Sequence, residues 1–307
     1  MNRKRWIRIF SMYLGIATLM FFASLGTASA ATLCVNQGGT DGCYSTIQDA
    51  INAASDGDVI NVEPGIYPGI SVGKSVEIIG IAGPERTTIN AIGDGVYVYL
   101  DRKVIIRGFR ISATGTGVYV RKATLTLRNN EITSPNGAAI YCYSGTGEKT
   151  HCHIFNNTIL NSGGDGILAD DNDSVSGNDS YITINNNVVL DSINLGTFNS
   201  KLCSYNTITG AITNVSCANT QTADPLLIPG NYCALQNGSP SIDAGNPSPV
   251  DNDPDNTRNN QGACGGPYAA AFWPYPSGGP VITNLTVTPA SVPQGGTVTI
   301  QATGEVR

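Results

Sequence analysis

A degenerate repeat between residues 95 and 209 constrains this chain more than any other feature. One half of each unit opens on glycine and continues as a short apolar strand: Gly95-Val-Tyr-Val, Gly117-Val-Tyr-Val, Gly137-Ala-Ala-Ile and Gly166-Ile-Leu-Ala. The other half places polar residues between aliphatic ends: Ile106-Arg-Gly-Phe-Arg-Ile111, Leu127-Arg-Asn-Asn-Glu-Ile132 and Ile154-Phe-Asn-Asn-Thr-Ile159. It recurs as Ile184-Asn-Asn-Asn-Val-Val189 and Cys203-Ser-Tyr-Asn-Thr-Ile208, so the closing aliphatics lie 21, 27, 30 and 19 residues apart. A unit this short cannot bury its own apolar face, whereas stacking on the next coil does so. The pattern therefore predicts an all-β solenoid with coils of roughly 20 residues.

The fourth column of the second half holds Phe109, Asn130, Asn157, Asn187 and Asn206. Asparagines stacked at one bend can bond the backbone groups that the turn leaves unpaired, and can bond one another. Such a ladder predicts a right-handed parallel β-helix and gives these residues a structural role. The same register sets Arg110 beside Glu131, a mildly favourable cross-coil pair. It also sets Arg107 near Arg128, a mildly unfavourable pair that could bind an acidic sugar but more often splays into water.

Upstream, Ser45 and Gln48 fit a capping box, and Ile47, Ala50, Ile51 and Ala54 form one apolar helical face. Asp56-Gly57-Asp58 then turns the chain into the strand Val59-Ile-Asn-Val62. The stretch 45–111 resembles the start of the pectin-lyase-like superfamily of right-handed β-helices. That resemblance implies a helix capping the open end of the solenoid, where it blocks edge-to-edge pairing. It covers most of residues 32 to 225 and specifies fold more firmly than function. Residues 239 to 268 resemble the closing segment of bacterial surface β-helix proteins. Ser239-Pro-Ser-Ile-Asp-Ala-Gly245 and Arg258 match that pattern, while Pro254 stands where it usually has glycine. Asp251, Asp253 and Asp255 alternate there, which could point several oxygens at one Ca²⁺, against the alternative of a solvated turn.

The first thirty residues carry Arg3, Lys4, Arg5 and Arg8, then an apolar run that ends in Ala28-Ser-Ala30. This reads as a signal peptide over 1–30, cleaved after Ala30, and no later stretch is apolar enough to span a bilayer. Cleavage leaves 13 Lys+Arg against 23 Asp+Glu, a net charge of −10, which argues against nucleic acid as a partner. All eight cysteines lie beyond the leader, and an even count in an exported chain reads as disulfides. Sequence neighbours pair Cys34 with Cys43, Cys142 with Cys152, Cys203 with Cys217 and Cys233 with Cys264. The β-helix with its closing segment is expected over 31–268, and a Pro/Gly/aromatic linker over 269–280. Two alternating strands in 281–307, Val281–Thr288 and Gly296–Thr303, read as the opening of an immunoglobulin-like β-sandwich.

The coils beginning at Gly137 and Gly166 exceed the basic length. Their excess is expected as insertions at 141–153, YCYSGTGEKTHCH, and 169–181, ADDNDSVSGNDSY, projecting side by side about 5 Å apart. Long loops on a rigid scaffold commonly carry function. The leading expectation is a secreted or cell-surface module that binds a polysaccharide or another extracellular surface as a monomer, through Glu148 and Lys149 with Arg107 and Arg128. One alternative is a polysaccharide lyase. Asp170, Asp171, Asp173 and Asp179 would hold Ca²⁺ against a uronate carboxylate, and Lys149 or His151 would take the proton. A hydrolase would instead use Asp170 and Asp171 as an acid–base pair. The resemblance weakens both readings. Of the polygalacturonase motifs NTD, DD, GHG and RIK only the Asp170-Asp171 pair is present, and the aspartate and arginine motifs of pectate lyases are missing. The third alternative is a purely structural, adhesin-like solenoid. His151 and His153 beside Cys142 and Cys152 could also form a zinc cluster, but export favours the disulfide.

Overall fold

The strands of this chain alternate aliphatic and polar residues, so each turns one row inward and the other to solvent. A computed structural model describes residues 30–172, 179–273, 280–288 and 297–306. The signal-peptide expectation lies outside the described residues. The chain coils through three parallel sheets in turn, visiting the first, second and third before returning to the first. Among the described residues the first sheet has nine strands, from Thr32–Val35 to Cys217–Ala218, and the other two have seven each. Parallel crossovers of this kind run right-handed. The architecture expected from the repeat, an all-β right-handed parallel β-helix, is the one observed.

Register explains the repeat. In the first sheet Ile60, Ile78, Ile106, Leu127, Ile154 and Ile184 stand one above another, each fully buried. The closing aliphatics Ile111, Ile132, Ile159, Val189 and Ile208 form the matching column of the second sheet. Val96, Val118, Ile140, Ile167 and Ile193 do so in the third. Each column meets the other two on the axis, so truncating one member to Ala opens a cavity worth about 2–5 kcal/mol.

The turn from first to second sheet carries the asparagine ladder. Asn130, Asn157 and Asn187 each donate to backbone carbonyls of their own and the preceding coil. Their backbone amides, and that of Phe109, bond the side-chain oxygen one coil on, ending at Asn206. One residue earlier, Asn129, Asn156 and Asn186 hold left-handed φ values of 54°, 50° and 61°. Asparagine tolerates that conformation better than most residues, and here its side chain also reaches outward.

The helix α1 (Ile47–Ala53) covers the first coil with Ile47, Ala50 and Ile51 buried. Its cap is Thr46, whose hydroxyl accepts from the Asp49 amide, one residue later than the expected Ser45 cap. Gln48 is released from capping. Its side-chain amide instead pairs with both backbone groups of Ser71, on the edge strand Ile70–Val72 of the third sheet. The edge is thereby occupied.

The insertions are shorter than expected. Tyr141 and Cys142 belong to the strand Ile140–Ser144, and His151, Cys152 and His153 to His151–Phe155, leaving only 145–150 between them. Likewise 169–171 and Tyr181 are strand residues, and 173–178 lies outside the described residues. Cys142 and Cys152 face inward and are fully buried, so their disulfide closes the corner from inside the core. All four expected pairings are present, and no described cysteine is free.

Beyond the last coil the closing segment runs back along the outside of the solenoid as a strap. Ser241 bonds Thr207 at 2.8 Å, the Gly262 amide bonds the Asn186 carbonyl, and Ala263 bonds Thr158. Asn129 then holds the Ala263 and Gly265 carbonyls, and Asn156 holds Asn260. Phe272 lies over Gly83 (φ 80°), where any side chain would collide with its ring. Trp273 is buried too, so ordered packing continues past the expected boundary at 268. Downstream, Pro280–Thr288 and Thr299–Val306 pair antiparallel, giving the two strands anticipated for a sandwich's opening.

Candidate functional site

The strap covers the corner between first and second sheets, which directs attention to the outward rows of the first and third. On the third sheet two Val-Tyr-Val strands and the strand Ile140-Tyr141-Cys142 place Tyr97, Tyr119 and Tyr141 in direct register, pointing outward from successive coils. Their ring centroids are 5.2 and 5.3 Å apart with planes within 13° and 19° of parallel. Tyr99 stacks on Tyr97 at 4.8 Å, and Tyr143 tilts against Tyr141 at 6.0 Å. Packed carbon atoms sit at about 3.5–4.0 Å. Rings with more widely spaced centroids therefore overlap obliquely, in the offset arrangement that aromatic pairs prefer. All five tyrosines are half-buried, so part of each side chain remains open to solvent.

Charges flank this row in matched pairs. Arg121 grips Glu148 with two bonds of 2.8 and 3.0 Å and lies 5.5 Å over the Tyr143 ring. The arginine bond holds the Glu148 carboxyl below its usual range. Asp170 accepts from the Tyr141 hydroxyl at 3.4 Å. Burial, then the Asp170 charge, pushes the Tyr141 phenol up to about 12. Burial also raises Tyr119.

Across the corner, His151 stacks on Tyr181 at 4.0 Å. Its Nε2 is 2.9 Å from the Asp179 carbonyl, which can only accept, so this nitrogen carries the proton. Nδ1 then accepts from the Thr124 hydroxyl at 3.3 Å. Both ring nitrogens are engaged, which leaves His151 poorly placed to take a substrate proton. Lys149 forms an exposed ion pair with Asp179 at 3.2 Å. His153 meets the Tyr181 hydroxyl at 3.2 Å, and burial lowers its basicity.

The structure does not bring Asp170 and Asp171 together. They are successive residues of Ile167–Asp171, so the first faces outward and the second inward. Paired acid–base chemistry through them is excluded by the pleat. Asp173 lies outside the described residues. Arg107 and Arg128 do stack as expected, but the strap lies over them. Arg107 pairs with Glu77 at 2.8 Å, and the Tyr268 ring sits 4.2 Å from the Arg128 guanidinium. A cleft of about 530 Å³ remains there between Arg128, Phe155, Asn185, Asp251 and Tyr268.

The aspartates of the closing turn diverge. Asp253 points inward and accepts from the Gly266 and Asn260 amides, while Asp255 accepts from Thr257. Asp251 ends a short 3₁₀ turn and is raised by burial. Among the described residues no three His, Cys, Asp or Glu side chains converge as a metal would require. The tyrosine row was absent from the site residues expected above. Its signal was present as a tyrosine recurring every 22 residues, at 97, 119 and 141.

A family model described as "Right handed beta helix region" matches residues 82–231. Comparison with curated protein sequences returned no match. A solved structure titled "Crystal structure of pectate lyase Pel9A" is 12% identical, aligned over 78% of this chain and 97% of that one. Its TM-score is 0.26, a superposition too loose to carry chemistry from one chain to the other. Three parallel sheets wound around one core give this chain the right-handed parallel β-helix fold, and residues 82–231, just under half of the chain, match the family model of that description.

Proposed function

We propose that this is an extracellular binding module that holds an extended polysaccharide along the outer face of its third sheet. The observation that carries the reading is the row of tyrosines at the coil repeat, 5.2 and 5.3 Å from ring to ring. Aromatic faces offer apolar contact to the C–H faces of pyranose rings, and phenol edges bond sugar hydroxyls, at low entropic cost. A solenoid repeats the same contact once per coil, which suits a polymer. Four disulfides fit an oxidising, extracytoplasmic setting. Among the described residues no helix is long and apolar enough to cross a membrane. Binding is favoured over cleavage because Lys149 and His151 are both committed to Asp179.

Affinity electrophoresis of the secreted chain in gels cast with soluble polysaccharides tests this. Retardation by at least one glycan is expected, with about a tenfold loss in affinity for Tyr119→Ala, or about 1.4 kcal/mol. Unchanged retardation in that variant, or none in any gel, overturns the reading. Release of unsaturated uronates, followed by ultraviolet absorbance and lost in Lys149→Ala, would replace it with a lyase.

A further inference from the structure

We infer that the polymer held by the tyrosine row is an uncharged glycan whose chain runs along the solenoid axis; this deepens the reading of that face as a glycan site. Direction follows from register. Tyr97, Tyr119 and Tyr141 are direct partners on neighbouring strands, so a ligand touching all three must cross the coils rather than follow one strand. The row covers three coils, ending at Ser71 on one side and Leu168 on the other, where the aromatic column stops. An extended, equatorially linked pyranose chain advances by roughly the strand spacing, about 5 Å per unit. One sugar per tyrosine is therefore the natural match.

Charge decides the ligand class. Arg121, which lies over the Tyr143 ring at this face, is held by both oxygens of Glu148. Next along, Lys122 pairs with Asp101 at 3.2 Å. A polyuronate would have to displace one of these carboxylates to gain a cation, and it would meet Asp170 beside the Tyr141 hydroxyl. A neutral glycan meets no such repulsion. Its hydroxyls can bond the phenols, a residue type that is protonated at neutral pH as a rule, and burial raises Tyr119 and Tyr141 further. Discrimination thus comes from filled cation sites as well as from the apolar row.

Titration calorimetry on the full secreted chain separates the possibilities. The probes are neutral β-1,4-linked gluco- and manno-oligosaccharides, from disaccharide to hexasaccharide, beside matched oligogalacturonates. Neutral oligomers should bind, with affinity rising until the chain spans three rings and then levelling. Raising salt should leave that affinity unchanged, since screening touches only charged contacts. Tyr119→Ala should weaken it about tenfold, and Tyr119→Phe, which keeps the ring, by less. Glu148→Gln, which frees Arg121, should bring measurable oligogalacturonate binding. Tyrosine-dependent, salt-sensitive binding of oligogalacturonates by the unaltered chain overturns the neutral-ligand inference and leaves the glycan site standing. Neutral binding that ignores Tyr119 overturns the assignment of this face. Failure to bind any of these sugars, neutral or acidic, overturns the inference, and the glycan reading falls separately only if the polysaccharide gels also show no retardation.

Discussion

The side chain of Asn157 bonds the Leu127 and Phe155 carbonyls, accepts from the Asn130 amide and is fully buried. Truncation removes the side-chain partner of the Leu127 carbonyl and the Asn130 amide in the core, at about 1–3 kcal/mol each, while the Phe155 carbonyl still accepts from the Asn129 amide. Asn157→Ala should therefore lower unfolding free energy by at least about 2 kcal/mol, read from urea midpoints with an unchanged slope. This role was legible in the sequence because one residue type recurs at one place in each unit. Asp253 was not legible. An aspartate in a polar turn reads as a calcium ligand, and only the folded strap shows its carboxyl buried against two amides. Burial, opposed by those two bonds, raises its pKa to about 7 from an ordinary 3.8. The folded state thus binds the proton more tightly than the unfolded chain. That contribution to stability is complete below about pH 4 and is lost as pH rises through 7. Amide protection at residues 260–266, corrected for intrinsic exchange, should fall between about pH 4 and pH 7, the interval between the unfolded and folded pKa values, and level off above it, and Asp253→Asn should flatten the profile. An equal slope in the variant would assign the titration elsewhere.

At the scale of elements, the disulfide between Cys142 and Cys152 was readable as a pairing but misplaced as a loop staple. Two cysteines beside polar residues resemble an insertion, yet strand alternation turns both inward, in register with Val120 and Leu125. Pairing across a separation of 10 residues restrains the unfolded chain by about 2–3 kcal/mol. Cys142→Ala with Cys152→Ala should lower the melting temperature by about 5–10 °C, the shift expected for that loss in a domain of this size. Reduction of the unaltered protein should be slow, because both sulfurs are buried. The tyrosine row makes the complementary point. Its period is visible in the sequence, but an aromatic inside an apolar run carries the same signal as a core residue. The pleat, set by the preceding glycine and flanking valines, sends these rings outward.

For the whole molecule, the repeat specified the coils, while the strap could be read only as a resemblance. A solenoid coupled only through neighbouring coils unfolds piecemeal, because each repeat contacts just the next. Here residues 241 to 272 touch coils as distant as those of Thr207 and Gly83, passing Asn186, Thr158, Asn129 and Arg128 between. Contacts that bridge non-neighbours make partial unfolding lose strap bonds all along its length, which favours a single transition. The strap is itself held by Cys233–Cys264 and by Tyr268 against Arg128. Replacing Cys233, Cys264 and Tyr268 by Ala should split calorimetric unfolding into two steps. Hydrogen exchange should show residues 259–266 losing protection first, while the columns of Ile106, Ile132 and Val118 keep theirs. A single transition at an unchanged temperature would mean that neighbour stacking alone joins the coils, with the strap a passenger on their surface.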